Sequence, residues 1–267
     1  MDARSSILVV GFLYFSAHLC RGFPTSDSAE SDRIINGTYT NIEVVPYQLS
    51  FMLDGKYACG AAIISTNWAL TAAHCVRAGL GSEITVRSGS SFPYEHGTVH
   101  RVIDFLIHEY YDPRTNDYDI ALMKVSSPFI YDDCTKPVRL PPLDGQTISN
   151  ELCLDCGWGY YKKLLNTFVI QEMSDKLQCI QLPLIKKSEC IQDYEGAFTL
   201  TPRMECYGFE NGQGDSCQGD SGSPLVNKDN IVLGITSLGR GCAQKHSPGV
   251  YTNVTALRGW IWDNIGI

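Results

Sequence analysis

Positive charge is scarce in this 267-residue chain: 21 Lys and Arg stand against 29 Asp and Glu, for a formal charge of -8. No basic run exceeds Lys162-Lys163 or Lys186-Lys187, so the electrostatic footprint of nucleic-acid binding is missing. Missing too is any apolar stretch of the roughly 20 residues that a membrane span requires, and no membrane association is expected. The histidines and cysteines show none of the spacings that hold zinc, so neither a metal nor a cofactor is expected. Repeats and low-complexity segments do not occur. A hydrophobic share of 44% instead supplies a core for one globular protein of one or two modest domains.

Cysteine, by contrast, is abundant and odd in number, at eleven. An odd count in a disulfide-bonded protein means a thiol, an intermolecular bridge, or a cysteine lost in processing. Arg4 precedes an apolar run from Ile7 to Phe15 that ends near Ala17 and is followed by Cys20-Arg21-Gly22. That pattern reads as a secretory signal peptide, residues 1–22 with cleavage near 20–22, which would remove Cys20 and deliver ten cysteines to an oxidising, extracellular compartment. Residues 23–33 (FPTSDSAESDR) are polar and lack a hydrophobic period, so they form an exposed linker ending in Arg33.

Beyond Arg33 the pattern changes to short apolar runs. Leu49, Phe51 and Leu53 alternate with Gln48 and Ser50, and Asp54-Gly55 marks a tight turn into the run from Tyr57 to Ile64, which is a hairpin signature. Similar runs recur at Ile84 to Val86, Ile120 to Val125 and Ile231 to Ile235. Only the C-terminus reads as helical, with Val254, Leu257, Ile261 and Ile265 on one face. The architecture is therefore mainly antiparallel β, in barrels. A Pro-rich crossing from Pro137 to Pro142 marks the boundary between two halves, about 34–140 and 141–267.

Three islands carry chemistry: Thr71-Ala72-Ala73-His74-Cys75, Asp117-Tyr118-Asp119-Ile120-Ala121-Leu122, and the run from Asp215 to Pro224 that contains Gly219-Asp220-Ser221-Gly222. A serine hydroxyl needs a histidine to take its proton, and that histidine needs a carboxylate to hold its tautomer and stabilise the imidazolium. Each island alone is weak. Joined by Ile34-Ile35-Asn36-Gly37, Gly157-Trp158-Gly159 and Pro248-Gly249-Val250-Tyr251, they make a chain that resembles the trypsin-like serine endopeptidases of the chymotrypsin fold from Ile34 to the C-terminus. The order His, Asp, Ser is that of this family's known template.

The resemblance implies an all-β fold of two antiparallel six-stranded barrels, with the active site in the cleft between them and a C-terminal α-helix. It implies Ser221 as nucleophile, His74 as general base and then acid, and Asp119 as orienting carboxylate, with Asp117 a solvated loop residue. The backbone N–H groups of Gly219 and Ser221 would form the oxyanion hole, where glycine permits a backbone conformation that a side chain resists. A cut after Arg33 would free the Ile34 ammonium to pair with Asp220, so the chain is expected to be a zymogen. Asp215 would lie at the bottom of the primary specificity pocket and select Arg or Lys before the scissile bond. Ser216, Gly239, Gly249 and Tyr251 would shape that pocket.

Expected partners are such protein or peptide substrates, an activating trypsin-like protease and protein protease inhibitors, with the enzyme itself a monomer. A catalytically silent homologue acting as a binding or regulatory protein is the alternative, but such proteins typically lose a triad residue and this chain has all three.

Some positions depart from the family pattern. Leu238 stands where most members carry a cleft-lining Trp, Ser223 replaces a Gly, and Asn36 replaces another. Asn36 and Asn253 begin N-glycosylation sequons. The loop Gly89 to Glu95 has little carboxylate density for calcium. By resemblance, Cys59 pairs with Cys75, Cys190 with Cys206, and Cys217 with Cys242. Cys134, Cys153, Cys156 and Cys179 allow three pairings. Cys153 and Cys156 are at an odd spacing on a strand, so they face opposite sides. The expected arrangement is Cys156 with Cys179 and Cys134 with Cys153.

Overall fold

The computed structural model describes residues 37–144, 152–165 and 168–267. The leader, Cys20, the 23–33 linker, Arg33, Ile34 and Asn36 lie outside the described residues. Fifteen strands and three α-helices follow in chain order: β1 Thr38–Tyr39, β2 Gln48–Leu53, β3 Lys56–Ile63, β4 Trp68–Thr71, α1 Ala73–Ala78, β5 Ile84–Ser88, β6 Thr98–Ile107, β7 Ala121–Val125, β8 Leu152–Gly157, β9 Tyr160–Leu165, β10 Phe168–Met173, β11 Gln178–Ile185, α2 Lys187–Asp193, β12 Met204–Tyr207, β13 Pro224–Asn227, β14 Val232–Leu238, β15 Gly249–Asn253 and α3 Arg258–Ile265.

Two closed antiparallel barrels of six strands result. The first runs β2-β3-β4-β7-β6-β5 and closes through β5 on β2. The second is β8-β11-β12-β15-β14-β13, closed by β13 on β8, with β1 added to β11. Closure removes the exposed edges that short strands would otherwise present. Leu49, Phe51, Ala61, Ile63, Leu70, Val86 and Leu122 are buried in the first barrel's core, and Ile180, Leu182, Tyr207, Leu225 and Leu233 in the second's. Each large side chain so buried contributes about 1.5–3 kcal/mol.

The β2–β3 hairpin turns where its sequence signal lies. Asp54 and Gly55 both have positive φ, 49° and 76°, the combination that matches the strand twist in a two-residue turn. The polar face of β2 is not solvated, however: Gln48 and Ser50 are 0% and 1% exposed. Gln48 Nε2 donates to Ser223 Oγ at 3.1 Å and Ser50 Oγ to the Pro93 carbonyl at 3.1 Å. That face packs on the neighbouring barrel and a loop, and the alternation in the sequence reports polarity rather than exposure.

The crossing at 137–142 is hydrogen-bonded to both barrels, with Val138 N–H on the Ile63 carbonyl and Arg139 N–H on the Asn230 carbonyl. Helix α3 docks on this crossing through Arg258, whose Nε donates to the Pro141 carbonyl at 2.6 Å. Val254, Leu257 and Ile261 are buried as the C-terminal pattern implies, but the first two belong to the turn before the helix. Gly266, with φ of 69°, ends the helix in a left-handed cap.

The structure pairs Cys59 with Cys75, Cys156 with Cys179, Cys190 with Cys206 and Cys217 with Cys242. Cys156 and Cys179 sit directly opposite each other on β8 and β11. The expected Cys134–Cys153 bridge is not formed. Cys153 keeps a thiol that points into the second barrel beside Leu182 and Tyr207, and burial pushes its pKa up to about 11. Cys134 packs in the other core cluster and is disulfide-bonded, with every other described cysteine already accounted for. Its partner therefore lies outside the described residues.

Asn253 sits half-buried on β15 with its Nδ2 donating to Glu205 Oε1 at 2.9 Å. A glycan on that nitrogen would leave it one hydrogen, enough for this single bond.

Candidate active site

At the seam between the barrels, the loop entering β7 delivers Asp119 with its side chain 0% exposed. A buried carboxylate must have its lone pairs occupied, and donors from both barrels occupy them. Oδ1 accepts the backbone N–H of His74 at 2.8 Å, while Oδ2 accepts His74 Nδ1 at 2.7 Å and Ser237 Oγ, from β14, at 2.5 Å. Thr252 Oγ1 on β15 donates to the Asp119 carbonyl at 2.9 Å. Because Oδ2 accepts, Nδ1 is the protonated ring nitrogen, leaving the lone pair on Nε2. His74 is at the start of α1, and its side chain keeps 26% exposure.

Ser221 lies in the tight turn 217–222, pressed onto the first barrel. Its carbonyl accepts the Gly60 N–H at 2.8 Å. Approach this close needs glycine: a Cβ on Gly222 would sit 2.4 Å from Thr71 Oγ1, and one on Gly60 would sit 1.9 Å from Ser223 Oγ. Ser223, the departure from the family pattern, thus occupies room that Gly60 leaves. The turn brings Ser221 to the strand and helix that carry His74. No hydrogen bond joins Ser221 Oγ to His74 Nε2 among the described residues, which is the loose arrangement common to unliganded sites.

The peptide between Gln218 and Gly219 is held in one orientation. The Gln218 carbonyl accepts the Tyr160 N–H at 2.7 Å, so the Gly219 N–H, trans to it across a planar peptide, points the opposite way. Tyr57 Oη donates to the Gly219 carbonyl at 2.7 Å. Gly219 has φ of 96°, and a Cβ there would lie 2.9 Å from Gly159 Cα. Asp220 is 1% exposed, with Oδ1 accepting the Gly159 N–H at 2.8 Å and Oδ2 the Cys217 N–H at 2.9 Å. Burial raises its pKa to about 6 against the pull of those two donors. The Gly157-Trp158-Gly159 motif exists for this contact: a Cβ at either glycine would fall within 2.2 to 2.6 Å of the Asp220 carboxylate.

Asp215 is 3% exposed, and its Oδ2 accepts the Ala243 N–H at 3.1 Å. Its Oδ1 is buried with no hydrogen-bond partner among the described residues. Burial raises its pKa to about 7, with the backbone donors opposing. A Cβ on Gly249 would sit 3.2 Å from that oxygen, whereas one on Gly239 meets only the Gly241 carbonyl, at 3.7 Å. Ser216 Oγ lies 2.9 Å from Tyr251 Oη. A family model described as Trypsin matches residues 34–261. The chain belongs to the trypsin family of serine endopeptidases.

Among trypsin-family relatives, trypsin 5G1 of Aedes aegypti is 37% identical over 239 residues, covering 89% of this chain and 86% of its own length. A vitellin-degrading protease of Bombyx mori is 34% identical over 233 residues, covering 87% of this chain and 86% of its own. No helix among the described residues is long and apolar enough to cross a membrane. His74 lies near the sulfurs of Cys59 and Cys75, but those sulfurs are bonded to each other and offer no thiolate to a metal.

Asp117, read from sequence as a solvated loop residue, is instead mostly buried. It accepts Thr201 Oγ1 at 2.7 Å and Arg203 Nε at 3.2 Å, and pairs with Arg203 Nη2. Burial alone would raise its pKa, but the hydrogen bonds from Arg203 and Thr201 outweigh it and lower the value. Arg203 also lies 4.6 Å over the Tyr118 ring. The pair ties the loop that delivers Asp119 to the second barrel.

Sequence reading also missed Ser237, Tyr57 and Tyr160. Each acts on a partner more than 50 residues away in the chain, and no local spacing announces it. Replacing Tyr57 by Phe removes one hydrogen bond, about 1 kcal/mol. In the trypsin-family reaction this should lower kcat roughly fivefold at unchanged KM. Steady-state kinetics that return the wild-type kcat would show that the contact with Gly219 is not used.

Proposed function

We propose that this trypsin-family protein is a secreted, catalytically competent endopeptidase that cleaves after Arg or Lys and is made as a zymogen. Asp215 carries the specificity reading: a buried carboxylate oxygen with no hydrogen-bond partner among the described residues, beside Gly249, is suited to a substrate cation. His74 takes the Ser221 proton as Oγ attacks the carbonyl, and Asp119 holds the imidazole and stabilises its charged form. The N–H groups of Gly219 and Ser221 receive the oxyanion, each such donor being worth about 3–4 kcal/mol in the transition state. His74 then protonates the leaving amine, and water, activated by the same imidazole, hydrolyses the acyl-enzyme.

Ile34 as a new N-terminus would supply the cation that Asp220 lacks. Such a pair is buried, and losing one member should cost about 3–5 kcal/mol, enough to undo the ordered turn. Nicking after Arg33 should therefore switch on peptidase activity, and an Arg33→Gln protein should resist activation; equal activity in both would refute the zymogen reading. Profiling the activated enzyme on matched Arg, Lys, Phe and Ala substrates should show cleavage only after the basic residues. Preference for Phe would refute the pocket assignment.

Asp215 must be ionised to pair with a cation, and in the empty pocket burial holds its pKa near 7. A proton therefore competes with the ligand at low pH. Affinity for a small arylamidine inhibitor should be full above about pH 8 and weaken below about 7, approaching tenfold per unit. An affinity independent of pH across that range would contradict the role given to Asp215.

The cysteine expectation also changes. Outside the described residues the sequence has one cysteine, Cys20, and Cys134 needs a partner there. We infer that the leader is cut before Cys20, near Ala17, and that residues up to Arg33 stay attached to the enzyme through Cys134 after activation. Non-reducing peptide mapping should recover Cys20 joined to Cys134, and a mature chain starting at Gly22 or Phe23 would refute this.

A further inference from the structure

Beneath the specificity pocket lies a second buried carboxylate that the mechanism above does not use. Asp155 on β8 is 1% exposed. Its Oδ2 accepts Tyr251 Oη at 3.0 Å and Thr236 Oγ1 at 3.1 Å, and Tyr251 Oη is in turn 2.9 Å from Ser216 Oγ. A hydrogen-bonded chain thus leads from the barrel core to the residue beside Asp215. All three members are buried, at 1% for Asp155, 0% for Tyr251 and 9% for Ser216.

A phenol has one proton to give. Tyr251 Oη donates to Asp155 Oδ2, and Thr236 Oγ1 shares its hydrogen between that oxygen and the Ser223 carbonyl at 3.3 Å. Burial, and after it the neighbouring charge of Asp220, push this acid's pKa well above the usual carboxylate range. Oδ1 is buried and has no hydrogen-bond partner among the described residues, so Oδ2 is the oxygen that Tyr251 meets. With its own proton committed to Asp155, Tyr251 can only accept from Ser216. The Ser216 hydroxyl then turns lone pairs, and no hydrogen, toward the pocket. A lysine ammonium, a compact charge with three donors, uses such an acceptor beside Asp215, whereas a guanidinium fork is already matched by the carboxylate.

We propose that Asp155 is a positioning residue for substrate choice: through Tyr251 it fixes Ser216 as an acceptor and so raises efficiency toward lysine relative to arginine. This rests on the Arg/Lys reading above. In Asp155→Leu, Tyr251 is released to donate to Ser216, whose hydrogen swings toward the pocket and opposes an ammonium. In Asp155→Asn, the amide oxygen still accepts from Tyr251.

The test compares activated, active-site-titrated wild type, Asp155→Leu, Asp155→Asn and Tyr251→Phe on matched Lys and Arg peptides. In Asp155→Leu the Lys/Arg ratio of kcat/KM should fall about five- to tenfold, through KM for Lys with kcat unchanged, and Asp155→Asn should restore the ratio. Tyr251→Phe should show the same fall, which keeps the test decisive if the Leu variant does not fold. An unmoved ratio in Asp155→Leu or Tyr251→Phe overturns the proposal, as does an equal loss on both substrates in Leu and Asn alike. Wild type that cleaves after neither residue overturns the basic-residue reading and this proposal together, whereas wild type that cleaves after both with an unmoved ratio overturns this proposal alone.

Discussion

Asp119 is a carboxylate without exposure that takes hydrogen bonds from His74 on one barrel and Ser237 on the other. Neither barrel alone could bury it, because removing either set of donors leaves a desolvated anion, a cost of several kcal/mol. The seam is therefore specified by chemistry as well as by apolar packing. The residue that orients the imidazole also fixes how the two barrels sit, so the fold cannot relax there without disturbing the site.

Steric constraints complete what that contact begins. Gly60, Gly157, Gly159 and Gly222 each stand where a Cβ would collide with the serine turn or with the strand it rests on. Their removal of side-chain volume lets the Ser221 carbonyl reach the Gly60 N–H, and lets Asp220 draw its turn against the Gly157-Trp158-Gly159 segment. The peptides on either side of Gly219 are then held by Tyr160, from the β9–β10 hairpin, and Tyr57, from the first barrel. Packing, backbone geometry and the electrostatics of the site share the same few atoms. Asp155, Asp215 and Asp220 add a cost, since burial raises the pKa of all three and the charge of Asp220 adds to the rise at the other two.

Local signals in the sequence were sufficient for whatever depends on neighbours in the chain. The Asp54-Gly55 turn, the islands around His74, Asp119 and Ser221, and the opposed faces of Cys153 and Cys156 are of this kind. What required the structure depends on contacts distant in sequence. Gln48 and Ser50 look like a solvent face because alternation cannot tell water from a second barrel. Asp117 looks solvated because its partner Arg203 lies 86 residues away. Cys134 was expected to pair with Cys153, but Cys153 faces the second barrel's interior while Cys134 packs in the other core cluster, a separation that spacing along the chain does not report. Ser237 and Asp155 carry no motif, and only the closure of β8, β14 and β15 into one barrel gives them their roles.

The central claim is that the seam between the barrels creates a reactive serine. Treating the protein with a serine-directed organophosphonate before and after cleavage at Arg33, and locating the adduct by peptide mass spectrometry, tests this most directly. The account predicts one adduct, on Ser221, formed rapidly only after cleavage and abolished in Ser221→Ala and His74→Ala. No adduct on the cleaved protein, or an adduct on a different residue, would contradict it.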